Sequence, residues 1–192
     1  MISIKQKILR FLIENRESSF SINEISKALR IDYKLVYMNT KKLQEEKTIK
    51  VEDLGNTKKC SFANAFNEDV FIVETERRKE LLKNKDFLII YSRLSKINRQ
   101  FILILFGSYV KRTSTKHSDI DFLLISNKEN AKIIENELEL ISLKIHLTSI
   151  TYEDFVEMLK SREQTVVTEV LKKNIILFGL ESYYKILKNL EI

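Results

Sequence analysis

The chain has 192 residues, 44% hydrophobic and 31% charged, with a net charge of +6, 3 glycines, no proline and one cysteine. This length and balance fit one large or two small folded domains and argue against a disordered or fibrous chain. No apolar run approaches the ~20 residues a membrane helix needs, MISIKQKILRFLIENR lacks the core and cleavage site of a signal peptide, and Cys60 has no partner for an internal disulfide. A soluble protein of the reducing cytoplasm, with no membrane partner, is expected. The scarcity of glycine and proline predicts long helices with few sharp turns.

The charge is uneven. Residues 1–61 carry 13 basic against 8 acidic residues, residues 62–99 carry 8 against 6, and residues 100–192 carry 12 against 13. The basic front suggests a polyanionic partner there, although a solvated lysine-rich surface has the same composition. Along this front, Ile4, Ile8, Phe11 and Leu12 recur at helical spacing and predict a first helix from about Ser3 to Asn15. Ser21 followed by Glu24 is a capping-box pattern, and Ile22, Ile25 and Leu29 supply the inner stripe of a second helix. A third helix points Val36, Thr40 and Leu43 inward, which turns the basic and aromatic set Tyr33, Lys34, Tyr37, Met38 and Lys41 to other faces. TIKVED and KKCSF flank Leu54-Gly55-Asn56-Thr57, a turn signal that predicts a hairpin over 48–62.

Three helices and a hairpin in this order, with INEISKALRIDYKLVYMNTKKLQEEKTIKVED running through them, resemble a winged helix-turn-helix domain over about residues 3–62. The resemblance implies DNA as a partner, with base contacts from Tyr33, Lys34, Tyr37, Met38 and Lys41 and backbone contacts from wing residues Lys58 and Lys59. Some such domains dock proteins instead. One departure stands out: the family usually has glycine between the third helix and the wing, where this chain has Lys47-Thr48.

Residues 66–97 read as two polar helices with apolar stripes (Val70, Val73, Leu81 and Leu82, then Phe87, Leu88, Ile90, Tyr91 and Leu94). No Gly/Ser-rich linker bounds them, so they read as a semi-rigid spacer. The unbroken apolar run FILILF then ends at Gly107-Ser108, a buried strand opening into a turn where backbone N–H groups favour an anion. After a short helical segment, Ser118-Asp119-Ile120-Asp121 leads into FLLIS, a second apolar strand. Asp119 and Asp121 stand at i and i+2, the spacing that puts two carboxylates on one strand face, an arrangement that favours a shared divalent metal. KIHLTSI reads as a third strand, YEDFVEMLKSR and TVVTEVLKK as helices, and IILFGLESYYKIL as a late strand and helix.

The string FGSYVKRTSTKHSDIDFLLI closely resembles the signature of minimal nucleotidyltransferases in the DNA polymerase beta-like superfamily, and the likeness extends over about residues 85–190. It implies transfer of a nucleoside monophosphate from an NTP to a hydroxyl with Mg²⁺ as cofactor. In that likeness Gly107 and Ser108, with Arg112 and Ser118 of the same spacer, hold the nucleotide, and Asp119 and Asp121 ligate metal. Arg112 stands where many relatives have glycine, either clashing with the usual turn or supplying a phosphate-binding cation. His146 stands where active relatives carry a third carboxylate, either as a working base or ligand or as the mark of a degenerate site; Glu139, Glu153 and Asp154 are acids on neighbouring elements that stand as substitutes. His117 and Cys60 have no ligand spacing around them and read as structural or surface residues.

The whole reads as an α+β chain: a winged helix domain (1–62), a helical connector (63–98) and a nucleotidyltransferase-fold domain (99–192) with a mixed sheet flanked by helices. Two functions follow. One is a DNA-tethered transferase that modifies a protein or RNA hydroxyl, as minimal transferases paired with toxins in toxin–antitoxin systems do. The other is a transcriptional regulator whose degenerate transferase domain senses a nucleotide or forms a homodimer.

Overall fold

A computed structural model describes residues 2–55, 57–115, 118–161 and 165–190. They divide into two compact units, Met1–Thr75 with Tyr184–Ile192, and Glu76–Tyr183. Asn56 and His117 lie outside the described residues, and so does half of the Gly-Asn turn.

In the first unit, α1 (Ile4–Glu14) opens at a capping box in which Ser3 and Gln6 satisfy each other's backbone N–H groups. Its buried stripe is Ile8, Leu9, Leu12 and Ile13, rotated from the predicted one. Phe11 is only half-buried and packs edge-on against Phe20 at 4.7 Å. The two-residue strand β1 (Phe20–Ser21) runs directly into α2 (Ile22–Leu29), whose Ser21–Glu24 capping box is present. The backbone N–H of Ser21 holds the Glu24 carboxyl below its ordinary pKa. Helix α3 (Tyr33–Glu45) is capped by Asp32, which accepts from the N–H groups of Lys34 and Leu35, and it buries Val36, Thr40 and Leu43 as their spacing predicts.

Strands β2 (Ile49–Leu54) and β3 (Thr57–Phe62) form an antiparallel hairpin from the base pair Ile49↔Phe62 to the turn pair Leu54↔Thr57. Strand β1 adds to the outer side of β3. Arg16 Nη2 donates to Glu74 Oε1 at 2.9 Å, and the Tyr184 hydroxyl donates to the same oxygen at 2.6 Å. The Arg16 guanidinium also lies over the rings of Phe62 and Tyr184. Such a pair survives burial because each charge has hydrogen-bonded partners.

The second unit is a four-stranded sheet in the order β6-β5-β4-β7, built from β4 (Ile102–Phe106), β5 (Ile120–Ile125), β6 (Ile145–Ile150) and β7 (Ile175–Phe178). Strand β4 is antiparallel to both neighbours, whereas β6 lies parallel to β5. A parallel neighbour requires a crossover, supplied by α7 (Lys128–Glu139). One sheet face, with Leu103, Leu105, Ile120, Phe122 and Leu124, shares a core with Phe87, Ile90 and Leu94 of α5 (Lys85–Leu94) and Ala131, Ile134 and Leu138 of α7. The remaining helices are α4 (Glu68–Leu81), α6 (Ser108–Lys111), α8 (Tyr152–Ser161), α9 (Val166–Lys172) and α10 (Leu180–Asn189). Among the described residues no helix is long and apolar enough to cross a membrane.

Cys60 on β3 is fully buried, and burial pushes its thiol up to about 11. Its thiolate is therefore disfavoured in the folded chain, and the stability it lends is complete below about pH 9 and lost as pH rises toward 11. At pH 8 a disulfide reagent should label the native chain far more slowly than the urea-unfolded chain; equal rates would place the thiol at the surface.

Candidate functional site

Strand β4 delivers the chain to Gly107 at φ +73° and ψ −148°, a region open essentially to glycine alone. The register pairs Phe106 with Asp121, so the carboxylate of Asp121 rises beside the turn. A Cβ built on Gly107 would overlap Asp121 Oδ2 outright and lie 3.0 Å from its Cγ. Glycine is needed here twice, for its conformation and for the space it leaves to the acid. The four-residue helix α6 follows and ends at Arg112, which is exposed and takes φ +59°. Arg112 thus adopts the left-handed conformation that a glycine adopts at less cost, and the turn is kept. Lys111 on α6 makes an ion pair with Glu169 of α9. No sequence signal marks that contact, because the partners are 58 residues apart.

On the far side of β5 the parallel register places His146 directly beside Asp121. Its Nδ1 lies 3.2 Å from Asp121 Oδ1, a hydrogen bond when Nδ1 carries the proton. The imidazole is 66% exposed and the carboxylate 26%, so the pair is open to solvent on one side. Asp119 is exposed and precedes the strand, which begins at Ile120, whose N–H donates to Lys144 O at 2.8 Å. Ser118 Oγ accepts from the Thr115 N–H at 2.9 Å, just ahead of the aspartates.

The structure therefore brings Gly107, Asp121 and His146 together, with Ser108 next in the turn. The other acids lie elsewhere. Asp154 lies in the first turn of α8, which Thr151 caps, and accepts from the Thr151 hydroxyl and N–H, which hold its carboxyl below the ordinary range. Glu139 lines a cavity of about 450 Å³ with Ile145 and Leu147. These residues alternate with His146 along β6, so Glu139 is on the opposite sheet face from Asp121. Glu153 is exposed in the first turn of α8.

Residues 90–182 match the family model described as polymerase beta, nucleotidyltransferase. This segment is similar to nucleotidyltransferase domains of that family. No curated protein and no solved structure matches the chain.

Nucleotidyltransferase domains of this family generally use a divalent metal. Among the described residues no group of three His, Cys, Asp or Glu side chains is arranged to hold one. Mg²⁺ does not need such a cage, because it is commonly held by one or two carboxylates together with substrate phosphates. Asp121 beside Gly107, with the exposed Asp119 two residues earlier, places two carboxylates at this end of β5.

In the first unit, the expected DNA-facing residues lie on the outer side of α3 and on the hairpin. Tyr33, Tyr37 and Met38 are 53%, 48% and 48% exposed, with Lys34 and Lys41 also exposed. Lys58 is exposed and 3.7 Å from Asp53, whereas Lys59 is half-buried. As adjacent strand residues, Lys58 and Lys59 project to opposite faces of β3.

Gly107→Ala should cost about 2–5 kcal/mol in urea unfolding, because left-handed strain and collision with Asp121 add. Gly55 also has positive φ, +64°, but a Cβ there meets nothing within 4 Å. Gly55→Ala should therefore cost only about 1–2 kcal/mol. Equal costs would show that the approach of Asp121 to Gly107 does not constrain the fold.

Proposed function

We propose that the chain is a DNA-tethered nucleotidyltransferase. In this reading residues 1–62 are a winged helix domain that holds duplex DNA, residues 63–98 connect, and residues 99–192 bind an NTP with Mg²⁺. The domain transfers a nucleoside monophosphate to a hydroxyl of a protein or RNA. The observation that carries the reading is Asp121, flanked by Gly107 on one side and His146 on the other.

The backbone of the Gly107-Ser108 turn and the Ser108 hydroxyl, with Arg112 and Ser118 along the spacer, contact the oxygens of the triphosphate. Asp119 and Asp121 hold Mg²⁺, which when bound neutralises charge on the triphosphate and the departing pyrophosphate. With Nδ1–H directed at Asp121, His146 presents Nε2 as an acceptor, and Asp121 fixes the ring and stabilises the imidazolium. Nε2 takes the proton of the acceptor hydroxyl while its oxygen bonds to the α-phosphorus. The bond from that phosphorus to the bridging oxygen breaks, and pyrophosphate leaves with its electron pair.

A second reading is favoured by the same contact. If the imidazole engages Asp121 permanently, the carboxylate is withheld from metal, and the domain is a nucleotide sensor in a DNA-binding regulator.

Transfer of label from an α-labelled NTP, with and without Mg²⁺, separates the two. For the enzyme, wild type transfers label, His146→Ala slows it by about 10²–10⁴, and Asp119→Ala with Asp121→Ala abolishes it. For the sensor, wild type is silent and His146→Asp creates Mg²⁺-dependent transfer, because a carboxylate binds the hard cation. No transfer by any variant would rule out the catalytic role of this strand.

DNA binding is read from salt dependence. Removing one lysine–phosphate interaction lowers the log–log slope by about 0.9, so Lys58→Ala with Lys59→Ala in the full chain should flatten it by about 1–2. Absence of duplex binding at low salt would overturn the DNA assignment.

A further inference from the structure

Within the first unit, a cavity of about 410 Å³ lies at the base of the β2–β3 hairpin, within the size range of small-molecule pockets. Lys47, Lys50 and Lys188 line it, with Asn64 and Phe66 beside them. Among the described residues none of these three lysines is held in an ion pair. The one acid in the lining, Glu46, is already paired with Lys5 at 2.8 Å, and Lys5 also pairs with Asp69. Three lysines thus line one concavity whose single acid is already engaged by Lys5, an excess of positive charge that an anion relieves.

Lys47 supplies an independent argument. It joins α3 to β2 at φ +54°, with its N–H donating to Gln44 O and the next N–H, of Thr48, donating to Leu43 O. Glycine adopts this conformation freely, whereas a residue with a Cβ costs about 1–2 kcal/mol there. The chain carries a lysine at a backbone position that disfavours any side chain, and that residue lines the cavity.

The place is distinct from the hairpin tip. Lys50 pairs with Ser61, one step from the base pair Ile49↔Phe62, whereas Lys58 pairs with Asp53 near the turn. Three strand steps, about 10 Å, separate the two registers.

We infer that this cavity binds a small polyphosphate anion, with Lys47, Lys50 and Lys188 as its point-charge ligands. The inference does not rest on the transfer reading, since none of these residues belongs to the transferase site.

The test uses the full chain carrying Asp119→Ala and Asp121→Ala in EDTA, which removes metal-assisted binding at the other site. Titration calorimetry with inorganic pyrophosphate should show saturable binding of one anion per chain. Lys47→Gly with Lys188→Gln should weaken it about tenfold or more, as removal of charge-assisted hydrogen bonds does. Lys27→Ala, at an exposed lysine of α2, should leave it unchanged. Without the anion, Lys47→Gly should raise the thermal midpoint by relieving the strained backbone, so the weaker affinity is not a loss of fold. The inference is overturned by absence of saturable pyrophosphate binding, by binding that these substitutions leave unchanged, or by a fall in the Lys47→Gly midpoint. It is also overturned if the lysine variants weaken duplex DNA binding and its salt slope while pyrophosphate binding stays intact, which would make these lysines contacts to the DNA backbone.

Discussion

The second unit is organised around a contact that admits no extra atom, the approach of the Asp121 carboxylate to the Cα of Gly107. That approach requires the antiparallel pairing of Phe106 with Asp121, which aligns the end of β4 with the start of β5. It also sets the departure of the chain into α6 and leaves His146, one strand over in parallel register, as the group that meets the acid from the other side. The apolar residues around it, Phe122, Leu123 and Leu124 on β5 and Leu103, Ile104 and Leu105 on β4, are fully buried and hold the register by packing. An acid on such a strand costs free energy to bury, which is consistent with its position at the strand end, where it keeps contact with solvent.

The elements are legible in the sequence wherever hydrophobic period and caps agree. FILILF, FLLIS and KIHLTSI form strands within a residue or two of their expected limits, and the Ser21–Glu24 box opens α2. Helix α7 is an element the periodicity reading misses, although Asn127 caps it and Ala131, Ile134 and Leu138 share its inner face, a signal present in the sequence. Strand β1 carries no readable signal, because two residues show no period and form a strand only by pairing with Cys60 and Lys59. The rotation of the α1 stripe has a similar origin: Leu9 and Ile13 are as apolar as Ile4 and Phe11, and only the tertiary neighbours select between the faces.

The candidate site is legible in its members and not in its geometry. Gly107, Asp121 and His146 are identifiable from motif and strand order, but their juxtaposition depends on β6 lying parallel to β5, which no local pattern reveals. The scarcity of glycine suggests few sharp turns, and this is misleading. Arg30, Lys47, Asn64 and Arg112 all take positive φ. The chain makes tight turns with residues that tolerate them less well than glycine, and it accepts a conformational cost at each.

The first unit is discontinuous in sequence, and that affects the order in which it can be made. Tyr184 stacks on Phe66 at a centroid distance of 5.1 Å and hydrogen-bonds Glu74, so a residue near the end of the chain completes a core begun near its start. During synthesis, α1–α3 and the hairpin emerge from the ribosome more than a hundred residues before that tyrosine. Until it arrives, the Arg16–Glu74 pair and the Phe66 ring lack one of their covering groups. The first unit therefore stays unsealed on the ribosome until Tyr184 emerges, an interval in which its uncovered apolar surface is open to wrong partners.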